Sequence, residues 1–132
     1  MNINIEKITR ILLSLILVIF GLNKFFNFMP MPPMPESAQG FMGALIETGY
    51  LMIIVAVVEI ISGIFLLMNR YSTLMLILIF PILLNAFLFH LFLDLKGIGG
   101  ALLTISLNIF LIVRSFDKYK ILLSKSQLPL EM

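Results

Sequence analysis

Four apolar runs, each close to the length a helix needs to cross lipid, dominate the chain: residues 8–28, 50–68, 71–93 and 98–116. A bilayer's hydrocarbon core takes about 20 helical residues to span, and within it each backbone N–H and C=O must be paired inside the segment. Runs of this kind leave little choice but helices. The last has the shortest apolar stretch, so the predicted span draws on 96–98 at one end or 114–116 at the other. Two connections are tight, at Asn69 and Arg70 and again at 94–97, which makes successive helices antiparallel neighbours. The expected fold is all-α, a polytopic membrane protein built as an antiparallel four-transmembrane-helix bundle. A short interfacial helix in the first outer loop and a tail at 117–132 complete it.

Composition agrees and removes several chemistries. Hydrophobic residues make up 61% and charged ones 12%, against roughly 45–50% and 25% in a soluble domain. The 132 residues make a single transmembrane domain (1–132), with no room for a soluble catalytic module beside it. A net charge of +2 gives no reason to expect nucleic acid. With no Cys there is no thiol relay, iron–sulfur ligation or thiolate metal site, and one His excludes a bis-His haem within one chain. No nucleophile–base pair or metal-ligand set stands out, so catalysis by the isolated chain is not expected. The start, with Lys7 and Arg10 ahead of an apolar stretch, has the layout of a secretory signal. No small-residue cleavage site follows, and it is read as a retained first span.

The basic residues set the predicted orientation. With the N-terminus inside, Lys7, Arg10, Arg70, Arg114, Lys118, Lys120 and Lys125 face the cytoplasm, and only Lys24 and Lys96 face out. Seven against two is a positive-inside bias with both termini cytoplasmic. The one long outer connection, 29–49, is rich in Met and Pro and cannot begin as a helix. Ser37 then reads as an N-cap of a short helix over 38–48 that ends at Gly49. Phe41, Met42, Leu45 and Ile46 give it an apolar side. That side suits either a plain interfacial connector or a lid over an outer cavity.

Charge inside the runs is the next constraint. Glu59 lies in the middle of 51–68, a stretch otherwise free of charge. A charged side chain at that depth costs about 2.5–3.5 kcal/mol on insertion scales, so it calls for a partner and marks a functional site. At ~1.5 Å per residue, Lys24 and His90 fall roughly 5–6 Å below the outer boundary, and Asn85 and Glu59 roughly 12–14 Å. Glu59, Lys24, Asn85 and His90 are therefore the candidate ligand-binding or buried polar cluster. Lys24 either snorkels to the headgroups or bends inward to Glu59. His90 suits an interfacial hydrogen bond as well as a ligand contact, and Asn85 suits an interhelical one. Desolvation favours a neutral Glu59 and a close Lys24 favours the carboxylate; the residues leave both open.

Small and polar residues also fall on stripes. Arg10, Ser14, Gly21 and Lys24 share one, Ala56, Glu59, Ser62 and Gly63 a second, and Gly97, Ala101, Thr104 and Asn108 a third. Close backbone approach is what holds membrane helices together, so Gly21, Gly63 and Asn108 are the predicted helix-packing residues. Pro81 frees the Ile77 carbonyl, and Asn85 is expected to offset part of that loss by hydrogen bonding. The nine Met residues are read as adaptable apolar filling rather than metal ligands.

In order along the chain, Phe20-Gly21-Leu22-Asn23-Lys24-Phe25, Glu59-x-x-x-Gly63 and Pro81…Asn85…Phe89-His90 resemble the DoxX family of small four-helix bacterial membrane proteins. The likeness covers roughly 8–116. It implies a bacterial cytoplasmic membrane location and, by analogy with members linked to thiosulfate:quinone oxidoreductase, a place beside a membrane or peripheral redox partner. The wider superfamily includes eukaryotic surfeit-locus cargo receptors, so the resemblance constrains the fold more than the chemistry. The reading carried forward is an accessory subunit or binding protein holding a quinone or lipid in an outer-half cavity, with oligomerisation open. The alternatives are a structural or interaction protein without ligand and a small proton-coupled transporter.

Overall fold

The computed structural model describes residues 2–125, and among them every element is helical. The helices are α1 (Asn2–Phe26), α2 (Glu36–Glu47), α3 (Leu51–Leu67), α4 (Ser72–Leu93) and α5 (Ile98–Arg114). Short 3-10 segments occupy Leu95–Gly97 and Phe116–Leu123. Residues 126–132 of the predicted tail lie outside the described residues. The helix α1 packs on α3, α3 on α4, α4 on α5, and α5 back on α1, so the four long helices close a ring of contacts.

The ring is apolar on both sides. Leu13, Leu17, Leu66, Leu76, Ile79 and Ile105 are buried between the helices. Leu12, Leu15, Ile19, Ile53, Ile61, Ile77 and Leu78 are exposed on the outside. A soluble protein does not present a belt of this extent to water. The α4 helix (22 residues) and the stretch Leu95–Arg114 (20 residues) are each long and apolar enough to cross a bilayer. At 17 residues α3 falls just short alone; α2 and α3 together make a third candidate, bent by 88° at their junction. The helix over the first predicted span, 8–28, runs from Asn2 to Phe26, so Glu6 and Lys7 ahead of that span are helical as well.

The turns follow from their residues. After α3, Asn69 takes the left-handed conformation (φ 55°), the Arg70 N–H donates to Phe65 O at 2.8 Å and the Asn69 N–H to Leu66 O at 3.0 Å. These are the paired bonds of a Schellman stop, with Asn in the place glycine usually takes. The Arg10 guanidinium adds bonds to Leu66 O and, at 3.0 Å, to Leu67 O. At the α2–α3 bend, Gly49 has φ 79° and Thr48 Oγ1 accepts the Leu51 N–H at 3.1 Å.

Two local expectations are corrected. Ser37 is not the N-cap of α2: the cap is Pro35, without a side-chain bond, and Ser37 lies in the first turn. Pro35 already has extended geometry (ψ 159°) and its carbonyl accepts the Gln39 N–H at 3.0 Å, so the helix starts as soon as the prolines allow. Asn85 does not repair the gap at Pro81. It is exposed and has no hydrogen bond among the described residues, and eight residues put it about 12 Å along the axis from Ile77. It is Asn108 of α5 that bonds this part of α4, donating to Leu76 O at 3.1 Å.

Beyond α5 the chain turns back. Tyr119 is buried, and its hydroxyl donates to Thr73 O at 2.7 Å, tying the Phe116–Leu123 segment to the start of α4. Burial raises the phenol's pKa, which keeps the proton in place for that bond at any ordinary pH. Tyr119→Phe is expected to cost about 1 kcal/mol and to speed proteolytic trimming after Arg114. Limited trypsin digestion in detergent reads both.

Candidate functional site

At the end of the ring where α2 lies, a cavity of about 550 Å3 opens between the helices. Phe20 and Lys24 come from the last turns of α1, Met52, Val55 and Glu59 from α3, and Pro81, Asn85, Ala86, Phe89 and His90 from α4. The first turns of α5 add Gly100, Ala101 and Thr104, whose small size leaves the room. The α2 helix closes part of the mouth with Phe41, Met42 and Leu45, and Phe41 stacks on Phe89 with ring centroids 5.6 Å apart. The segment is therefore a wall of the cavity as well as a connector.

All four residues of the predicted polar cluster line this one space. Lys24 reaches inward: its Nζ lies 2.8 Å from Glu59 Oε2 and 3.1 Å from Oε1. The Glu59 side chain is 7% exposed and that of Lys24 24%, so the carboxylate is the deeper member and the ammonium keeps a route to the surface. His90 and Asn85 stand on α4 across the cavity. Asn85 is open to solvent or lipid on one side and carries no hydrogen bond among the described residues, which leaves an amide free at the wall.

Asp94 is the residue that sequence reasoning missed. It was assigned only to the turn after the third run, yet it is 5% exposed, with Oδ2 3.5 Å from His90 Nδ1. His90 Nδ1 also lies 3.2 Å from the Asp94 carbonyl. Two acceptors at Nδ1 favour the tautomer with its proton there, leaving Nε2 as the free acceptor. The signal was present: His90 and Asp94 are four residues apart, the spacing of neighbours on one helix face. Gly97 makes the arrangement possible. A Cβ there would sit 2.7 Å from His90 Cε1, 2.8 Å from Nδ1 and 3.1 Å from Asp94 Oδ2.

The packing residues set how closely α1 and α3 approach. A Cβ on Gly21 would lie 2.7 Å from Ile60 Cγ1, 3.0 Å from Ala56 O and 3.2 Å from Glu59 Cβ. One on Gly63 would lie 2.9 Å from Ser14 O and 3.1 Å from Val18 N. Ser14, Ala56 and Ser62 complete this buried seam. Asn108 sits one turn beyond Thr104, fully buried, with Nδ2 bonded to Leu76 O and Oδ1 unpartnered among the described residues. No group of three or more metal-binding side chains occurs among the described residues.

The site can thus enclose an apolar body and offer it two kinds of polar contact, an ion pair on one wall and an imidazole backed by a carboxylate on the other. No curated protein and no solved structure is significantly similar to the chain. The sequence profile of the DoxX family matches residues 7–91, well over half of the 132 and including Lys24, Glu59, Asn85 and His90. With its helices, its apolar exterior and that match, the chain is a membrane protein belonging to the DoxX family.

Proposed function

We propose that the protein is a binding protein or accessory subunit that holds a quinone or a lipid in the 550 Å3 cavity. The observation that carries this reading is the composition of one space. Its walls are mostly apolar, with Leu and Phe the most frequent, and its few polar groups converge from four helices, the usual form of a small-molecule site. In this reading the four long helices cross the bacterial inner membrane as an antiparallel bundle, with both termini cytoplasmic and the cavity in the outer half. The bias of the basic residues and the meeting of α1's start with α3's end at one end of the ring support it.

A quinone fits the polar contacts. Its two carbonyl oxygens are acceptors, and Lys24 and the Asn85 amide offer donors from different helices. Reduction of a quinone takes up protons, which Glu59 and His90 are placed to pass. The electrons would come from a membrane or peripheral redox partner. A lipid tail would use the apolar walls alone.

The test is native mass spectrometry with organic extraction on protein in mild detergent. Wild type is expected to retain one defined quinone or lipid, and Glu59→Gln to lose it. Ala101→Phe fills the cavity without touching the ion pair and is expected to lose the ligand while melting normally. Retention of nothing but bulk phospholipid by all three would sink the reading and favour a structural role for the cluster.

A further inference from the structure

The opposite end of the ring holds a second cavity, of about 280 Å3, between the starts of α1 and α4 and the ends of α3 and α5. Its character is reversed. Lys7, Arg10, Arg114 and Lys118 line it with four positive charges, and Glu6 is the single carboxylate. The two arginines are held from behind. Arg10 uses Nη1 on the carbonyls of Leu66 and Leu67. Arg114 uses Nε on Glu6 Oε2 at 2.6 Å, with its guanidinium carbon 5.8 Å from the Phe110 ring centroid. A guanidinium carries five N–H donors in a fixed plane, so most of those on both arginines remain unspent. Lys7 and Lys118 have no carboxylate partner among the described residues.

Four cations gathered around so small a space repel one another, and only an anion relieves that. The anion that matches two pre-oriented guanidinium forks and two flexible ammonium groups is tetrahedral and multiply accepting. The buried Leu66, Leu76 and Leu111 form an apolar floor beneath the charged rim. We propose that this cavity is a phosphate-binding site, filled either by the headgroup of an anionic phospholipid or by a free phosphate. It is independent of the ligand at the other end.

The test uses the full chain in mild detergent, titrated with phosphatidylglycerol, phosphatidylcholine and inorganic phosphate and read by native mass spectrometry and thermal shift. Wild type is expected to bind one phosphatidylglycerol in preference to phosphatidylcholine. Lys7→Gln and Lys118→Gln, both exposed and without ion pairs among the described residues, should each weaken it about fivefold. Glu6→Gln removes the opposing charge and should tighten binding, a gain that misfolding cannot imitate. Displacement of the lipid by millimolar inorganic phosphate assigns the site to a soluble phosphate, and resistance to it assigns the site to the lipid. Equal binding of both lipids together with no response to phosphate, or lysine variants that bind as tightly as wild type, would overturn the proposal.

Discussion

Lys24→Met is expected to lower stability by about 3–5 kcal/mol, and the double variant Lys24→Met/Glu59→Leu to recover most of that loss. Removing the ammonium leaves the carboxylate of Glu59, 7% exposed and with no other side-chain partner among the described residues, in a cavity lined by Leu17, Phe20 and Val55. The reverse change, Glu59→Gln, should cost less. Lys24 is 24% exposed and close to the end of α1, so its ammonium can swing out to the headgroups. Reversible unfolding in detergent, arranged as a double-mutant cycle, measures the coupling. A coupling below about 0.5 kcal/mol would mean that the pair is incidental to the fold.

Gly63→Ala should cost about 1–3 kcal/mol. The new methyl would lie 2.6 Å from Val18 Cγ2, and that side chain can turn aside. It would also lie 2.9 Å from Ser14 O and 3.1 Å from Val18 N, and those are backbone. The α1 helix must withdraw. Gly43→Ala in α2 is the control, because a Cβ there meets nothing within 4 Å. It should be neutral or stabilise the helix by about 0.5–1 kcal/mol. Opposite signs for the two substitutions in the same unfolding assay would establish that the α1–α3 seam is tight. Equal, small effects would place the tight contact elsewhere.

How much of this was legible in the residues varies with range. The runs of apolar residues announced helices because lipid permits little else, and Glu59 announced itself because nothing around it is charged. Depth along each run put Lys24 and His90 at one level and Asn85 and Glu59 at a deeper one, near enough to be expected as one cluster, since rise per residue is fixed. What depth cannot give is rotation about the helix axis. Asn85 was expected to serve Ile77, whereas Asn108, from a different helix, bonds the neighbouring carbonyl. Asp94 was read only as part of a turn although its spacing of four from His90 already pointed to the pair; the close approach of Gly97 to both shows only in three dimensions. The capping of α3 by Arg10, between residues 56 and 57 apart in sequence, carried no local signal at all.

Gly21 places the van der Waals wall of α1 against Glu59 itself, since the missing methyl would touch Glu59 Cβ at 3.2 Å. Lys24 stands one turn further along the same stripe. The residue that lets the two helices touch and the residues that hold the ion pair therefore lie within one turn of each other. A guest that wedged α1 from α3 would draw Lys24 away from Glu59 unless the lysine stem followed, so occupancy of the cavity and the state of the ion pair bear on the same seam.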